Sequence, residues 1–482
     1  MRLGIDLGTT RTVVAAATDG RYPLAAFDEA GEFREHVPGI ACVCKGELLV
    51  GWAAVRALPE AELAIRSIKR AVSALAPDAE VLPGITALGL MTAFLAELRT
   101  AIVERSNLDV HEPLEAMVAV PANSASRQRW LTLEAFRRAG FTPIGLLNEP
   151  TAAAVEFAHR HLGELGKKSP KKYVVVYDLG GGTFDTSAVS LEGKRFELIA
   201  SEGLARLGGD DFDALILDAA GLPHTAALLE RAREAKETLR PTTKKLHVDD
   251  ATIDVAKLYE RAQPLIDQTI AQTEALFDRL RARGIAPDDP RELGGLYLVG
   301  GGAAFPAVMR CLRARFGKKL QLAPQSFAST AIGLAIAADP DAHVMIREAI
   351  TRHFGVWREG DRGHDKIFDA LIGKDTAAPI VVERRYRPTH PIGHLRFLEC
   401  GALDAAGQPV QDLVPWTDVY FPYDPALADR RDLANLPSRR DPSLLANEIA
   451  ETYTYRPDGT ISVVIANVSR GYQREFSLGA LR

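Results

Sequence analysis

The chain has 482 residues, of which 47% are hydrophobic and 25% charged, and its formal net charge is -5. That length predicts two or more domains with cores of their own, and the composition is that of an ordinary globular protein. It has no basic excess of the kind that accompanies nucleic-acid binding, no apolar run long enough to cross a bilayer, and an acid, Asp6, where a signal peptide needs an apolar core, so a cytoplasmic protein without nucleic-acid or membrane partners is expected.

The first element is the apolar Leu3-Gly4-Ile5, followed by Asp6-Leu7-Gly8-Thr9-Thr10. It reads as a buried strand, an acid and a Gly/Thr turn. Glycine has no Cβ, so such a turn lets backbone N–H groups and hydroxyls approach a phosphate. The adjacent carboxylate suits a hydrated Mg²⁺. Cys42 and Cys44 follow in an apolar run with no second pair or nearby His, which predicts two same-face thiols on a strand rather than a zinc site. Disulfides are not expected in a reducing compartment.

Leu90, Phe94, Leu98 and Ile102 recur four apart and predict an amphipathic helix over Thr86–Val103. Ala116–Val120 reads as a buried strand closed by Pro121, and Ser126–Arg138 as a helix stopped by Gly140. Tyr173–Tyr177 is a second buried strand, running into Asp178-Leu179-Gly180-Gly181-Gly182-Thr183-Phe184-Asp185. This repeats the strand, acid and turn of the N-terminus. Two such clasps about a lobe apart predict two lobes gripping one nucleotide. Thr9 and Thr10 could instead be plain strand threonines, but the tandem arrangement argues against that. A long helix is expected over Val255–Leu280, then the strand Leu296–Val299, the turn Gly300-Gly301-Gly302 and a helix over Phe305–Phe316. Alternation of this kind predicts an α/β fold with mixed sheets.

The pattern changes near Asp339-Pro340-Asp341. Leu395–Leu398, Val419–Phe421 and Thr460–Val468 read as strands, the last after the turn Pro457-Asp458-Gly459. Helical periodicity is poor here except over Ser443–Glu451, and residues 423–445, rich in Pro, Asp and Arg, predict a long surface loop.

The clasps and the segments between them closely resemble the ATPase region of the heat-shock protein 70 chaperones, the DnaK type, within the actin/hexokinase-like ATPase superfamily. Gly4–Thr10 resembles the first phosphate motif, and Asp178–Asp185 the second. Val120-Pro121-Ala122 with Gln128-Arg129 resembles V-P-A-x-x-x-x-x-Q-R. Leu147–Ala154 resembles the hinge N-E-P-T-A-A-A. Leu298–Gly302 with Pro306 resembles the adenosine motif, and Leu207–Asp213 the family's G-G-x-D-F-D. More faintly, Leu371–Pro379 and Tyr455–Ile461 resemble stretches of the family's substrate sandwich. The resemblance implies a two-lobed, actin-like α/β ATPase domain over residues 1–340 and a smaller, mostly β, sandwich-like domain over 341–482.

It also implies the chemistry of the site. Asp6 and Asp178 would hold Mg²⁺ through water, and amides at Gly8, Thr9, Thr10, Gly180, Gly181 and Gly182 would cradle the phosphates of ATP or ADP, with hydroxyls from Thr9 and Thr183. Lys69 would orient the attacking water and Glu149 would help place water and metal. Asp185 would accept a proton or bind a monovalent ion such as K⁺. Gly208, Gly209, Lys236, Gly300 and Gly301 would contact the nucleoside. Lys69 lies between Arg66 and Arg70, so a solvated basic helix face is the competing reading. Pro121 is either a strand terminator or, with Arg129, part of the coupling to the second domain. The partners implied are unfolded or apolar peptide segments, a J-domain co-chaperone and a nucleotide-exchange factor, bound by a monomer active in protein folding and the stress response.

The chain departs from the family in several places. Where the family has E-x-A-K-R-x-L-S, this chain has Arg233-Glu234-Ala235-Lys236-Glu237-Thr238-Leu239-Arg240, and Ala304 replaces the adenine-stacking arginine. Losing that cation–π contact removes roughly 0.5–2 kcal/mol, so weaker or less base-selective nucleotide binding is expected. The segment from Asp213 to Leu296 is short for the family. The leucine-rich linker is replaced by Asp341–Glu348, and the chain ends at Arg482, where the family continues into a helical lid. A lidless domain should release peptide faster, unless Tyr423–Arg440 covers it. The expected function is therefore an ATP-dependent, chaperone-like ATPase. Its rivals are an actin-like ATPase whose β domain docks one partner, a small-molecule kinase, a filament scaffold and a nucleotide sensor without turnover.

Overall fold

The computed structural model describes residues 1–73, 75–161, 170–287, 289–348, 350–359, 366–374, 376, 378–416 and 418–478. Asp375 and Ala377 of the Leu371–Pro379 stretch, and Arg482, lie outside the described residues. The chain divides into two units: Met1–Ala122 with Thr132–Ile346, and Asn123–Leu131 with Arg347–Arg482.

Two sheets of the same plan build the first unit. In one, the strand Arg2–Leu7 pairs antiparallel with Arg11–Ala16 and parallel with Glu115–Val120, and Thr142–Asn148 and Val37–Pro38 complete the order. In the other, Tyr173–Leu179 pairs antiparallel with Phe184–Ser190 and parallel with Leu293–Val299. Both central strands are buried along nearly their whole length, as strands covered on both faces must be. Because the plan repeats, the hairpin turns after Leu7 and after Leu179 occupy equivalent places in the two sheets. The second sheet ends with Met345–Arg347 beside Arg195–Leu204.

Two buried helices pack between the sheets, Glu149–Arg160 and Ser329–Ala338. Their crossing is backbone against backbone: a Cβ on Gly333 would lie 1.8 Å from the Ala152 carbonyl oxygen. The strand Arg2–Leu7 meets the same helix through Gly4, where a Cβ would lie 2.2 Å from the Ala335 nitrogen. Tyr297 donates to the fully buried Glu156 carboxylate at 2.5 Å, tying the helix Glu149–Arg160 to the second sheet. The long helix Val255–Ala282 starts at Asp254, whose carboxylate accepts from the N–H groups of Ala256 and Lys257. It buries Leu258, Ile266, Leu276 and Leu280 against the second sheet's core. Cys42 and Cys44 lie on the strand Ala41–Cys44 as free thiols.

The second unit is β-rich. His353–Glu359 lies between Lys366–Ile372 and Ile392–Cys400, and Val419–Pro422 pairs with the latter. Facing it, Ile449–Tyr455 lies between Ile380–Tyr386 and Ile461–Asn467, with Tyr472–Leu478 beyond. Phe354, Phe397, Trp416 and Tyr453 form the aromatic centre of its core. Asn123–Leu131 belongs to this unit, where the Ser126 N–H donates to the buried Glu399 carboxylate at 3.1 Å. The helix expected over Ser443–Glu451 is absent. A 3₁₀ turn over Pro442–Ala446, with Asp441 accepting from the Ser443 N–H, gives way to the strand Ile449–Tyr455. The reason is period: Ile449, Glu451, Tyr453 and Tyr455 are all buried, and only a two-residue repeat turns all four inward. No helix among the described residues is long and apolar enough to cross a membrane.

Candidate nucleotide-binding site

The two hairpin turns come together in one pocket of the first unit. Gly8, Thr9 and Thr10 line one side, and Gly180, Gly181 and Thr183 the other. The turns touch: a Cβ on Gly181 would lie 1.8 Å from Thr10 Oγ1, and one on Gly182 2.7 Å from Thr9 Cγ2. No side chain larger than hydrogen fits at either position, which explains the glycine run in the second turn. Gly209 N–H donates to the Gly180 carbonyl at 2.9 Å and Asp210 N–H to that of Gly181 at 2.7 Å, so the helix Gly209–Ala220 starts on the second turn. Gly300 has φ +83° and no room for a Cβ beside the Leu179 carbonyl, whereas at Gly301 a Cβ would meet nothing within 4 Å. Gly300 is therefore structural, and Gly301 leaves open space in the pocket wall.

Acidic groups gather at the pocket floor. Asp6, Asp178 and Glu149 line it together with Lys69, whose ammonium lies 2.5 Å from Glu149. Lys69 is 8% exposed, so the solvated-face reading of its helix does not hold. Burial pushes the Asp6 carboxyl up to about 7; Glu149 adds to the shift and Lys69 opposes it. Burial likewise holds Asp178 well above the ordinary carboxylate range, with Glu149, Asp6 and Asp185 adding to it. Four carboxyl groups, Asp6, Asp178, Glu149 and Asp185, gather round one buried ammonium, and a divalent cation among them would favour their charged forms. Among the described residues no three such side chains are placed to hold an ion directly.

Other donors in the pocket lack partners. Thr10 Oγ1, Arg11 Nε and Arg233 Nε are buried with no hydrogen-bond partner. All three residues line the pocket, and a guanidinium nitrogen can only donate. Three of the expected site residues stand just behind the lining: Gly182 packs on Thr9, Gly208 on Gly181, and Asp185 acts on Asp178 through its charge.

Several lining residues were not anticipated. Arg11 Nη2 lies 2.5 Å from Glu237 Oε2, and Arg233 is ion-paired with Glu230. Arg66 reaches Asp210 at 2.9 Å and Asp213 at 2.5 Å. Lys236 lines the pocket, but its ammonium lies 2.6 Å from Asp213 and donates to the Gly209 carbonyl at 2.7 Å. The altered Arg233–Arg240 stretch thus builds an ion-pair network in the pocket wall, with Arg66 pairing to it from behind the lining. Asp213 lay inside a quoted motif. Arg11 and Phe327 carried no signal, because their place in the pocket depends on segments far away in sequence. The pocket encloses about 110 Å³, less than the roughly 300–1,000 Å³ of ordinary small-molecule sites.

The family model described as Hsp70 protein matches residues 86–343. A chaperone protein HscA homolog of Aromatoleum aromaticum is 33% identical over 375 residues, covering 70% of this chain and 58% of the relative. One from Bordetella pertussis is 32% identical over 365 residues, covering 66% of this chain and 54% of the relative. Chaperone protein HscA of Salmonella newport is 30% identical over 416 residues, covering 78% and 64%. The chain thus spans less than two thirds of the length of each of these relatives.

Proposed function

We propose, from the premise that this chain belongs to the Hsp70 family, that it is an ATP-dependent chaperone-like ATPase whose residues 1–340 bind and hydrolyse ATP and whose residues 341–482 bind polypeptide segments. The observation that carries the nucleotide reading is the meeting of the two glycine turns, Thr9 and Thr10 against Gly181 and Gly182, in a pocket that Asp6, Asp178, Glu149 and Lys69 also line. Phosphoryl transfer needs positioning and charge neutralisation more than covalent chemistry from the protein.

In this reading Gly8–Thr10 and Gly180–Gly182 offer amides to the phosphates, and the Thr9 and Thr183 hydroxyls donate to phosphate oxygens. Asp6 and Asp178 hold the water shell of Mg²⁺, which supplies charge neutralisation when bound. Lys69, oriented by Glu149, directs a water at the terminal phosphate, and Asp185 takes up a proton or holds K⁺. The polypeptide partner, the J-domain co-chaperone, the exchange factor, the monomeric state and the cytoplasmic location are carried over from the family expectation.

Single-turnover ATP hydrolysis on the full chain, with and without unfolded polypeptide, tests this reading. Mg²⁺-dependent turnover that rises with polypeptide is expected. Turnover indifferent to polypeptide favours the rival in which the β domain docks one specific partner. Turnover that rises only with a sugar or polyol favours the kinase. No turnover at all removes the ATPase reading.

A further inference from the structure

The second unit contains a cavity of about 730 Å³ whose wall is unlike a site for apolar segments. It is lined by six cations, Arg358, Lys366, Arg384, Arg385, Arg387 and Arg396, against two carboxylates, Glu359 and Asp369. Arg385 is ion-paired with Glu383 and Glu448, which leaves Lys366, Arg387 and Arg396 as the lining cations to account for.

The floor of the cavity is rigid. Asp369 is shared by two guanidinium groups, Arg358 at 2.8 Å and Arg384 at 3.0 Å. Glu451, fully buried, accepts from Arg358 at 2.7 Å, from the Tyr386 hydroxyl at 2.5 Å and from the Tyr453 hydroxyl at 2.6 Å. These bonds fix the arginines and neutralise them. The surplus charge is at the rim. Among the described residues Lys366, Arg387 and Arg396 have no carboxylate partner; Arg387 donates only to the Leu445 carbonyl, at 3.0 Å. Glu359, opposite Lys366 in the strand register, lies 3.6 Å from His390 instead.

We propose that this cavity binds an extended acidic polypeptide segment, its Asp or Glu carboxylates paired with Lys366, Arg387 and Arg396 and an apolar side chain set against Trp357. The inference rests on the reading that the β domain binds polypeptide, and it replaces the apolar client of the family expectation. An apolar segment filling the cavity strips water from three unpaired cations and returns nothing for it. A carboxylate restores those hydrogen bonds as charge-assisted ones.

The test uses the full chain and short fluorescent peptides in anisotropy titrations. One peptide alternates Glu with Leu, a second has every Glu replaced by Gln, a third is uncharged and wholly apolar, and a short RNA is the non-peptide polyanion. The Glu peptide is expected to bind about tenfold or more tighter than its Gln counterpart, with an advantage that shrinks as salt rises. Arg396→Glu and Arg387→Glu, both at exposed positions, should each remove most of that advantage. Equal binding of the Glu and Gln peptides, or preference for the apolar one, overturns the acidic preference and leaves the polypeptide reading standing. Tighter binding of the RNA assigns the surface to another polyanion and overturns the proposal. Failure of every peptide to bind removes the polypeptide reading and this inference with it.

Discussion

Arg11 Nη2 and Glu237 Oε2 lie 2.5 Å apart, joining the turn that follows the first strand to the end of the helix Ala226–Glu237. Together with Arg66, which bonds Asp210 and Asp213, the pair links the first sheet's side of the pocket to the second's. Ion pairs that bridge the two sides of the pocket oppose their separation, and with it the exit of a bound molecule.

Arg11→Ala and Glu237→Gln should therefore both raise the release rate of a fluorescent ADP analogue in stopped flow, and wild-type release should quicken with salt. Identical release in all three proteins, at every salt concentration, refutes a gating role for the pair.

Lys69→Ala removes the ammonium beside Glu149 from the pocket floor. Turnover should fall by roughly 10²–10³-fold, the usual effect of losing one positioned electrostatic group, with nucleotide affinity changed little. Thr183→Ala should act in the same direction. Calorimetric binding and single-turnover rates separate the two effects; unchanged turnover in both variants is the outcome that sinks the assignment.

Two glycines should respond oppositely to the same substitution. Gly333→Ala forces a Cβ to within 1.8 Å of the Ala152 carbonyl oxygen and should cost about 1–3 kcal/mol of stability, as overpacking does. Gly301→Ala meets nothing within 4 Å and should leave the melting temperature unchanged while weakening nucleotide binding. A Gly333→Ala protein that melts with the wild type contradicts the backbone contact described above.

His36 packs tilted against Trp52, with ring centroids 5.3 Å apart, and burial, with Arg11, Arg233 and Arg34 nearby, pushes its imidazole down from 6.5 to about 2. Below pH 6.5 the unfolded chain takes up a proton that the folded one refuses. The stability this histidine contributes is thus present above pH 6.5 and lost as pH falls, with a limiting slope of about 1.4 kcal/mol per pH unit. Denaturant titrations at pH 7 and pH 5.5 should show a smaller drop for His36→Gln. An equal drop in both proteins rules His36 out as the source.

Local signals carried much of the first unit. Asp6 and Asp178 each follow an apolar strand and precede glycines, and the helix Val255–Ala282 shows its apolar stripe over many turns. Such features depend on neighbours a few residues away. The network around Arg11, Glu237, Arg66 and Asp213 depends on residues more than a hundred positions apart, and no periodicity encodes that. The same limit hid the cationic cavity, whose arginines come from different strands. Ser443–Glu451 failed for a different reason. Its apolar residues are few enough to satisfy a helical repeat, and only pairing with Ile380–Tyr386 and Ile461–Asn467 settles the period as two.

The crossing of Gly333 on Ala152 sets how the first unit can deform. Where side chains separate two helices, rotamer changes let them slide past each other, and the contact acts as a bearing with play. Here the peptide groups themselves touch, and a close-packed contact of that kind resists translation. The crossing works as a fulcrum. Opening of the two sides must therefore be a rotation about this crossing, and it has to part both the Arg11–Glu237 pair and the contacts of Arg66.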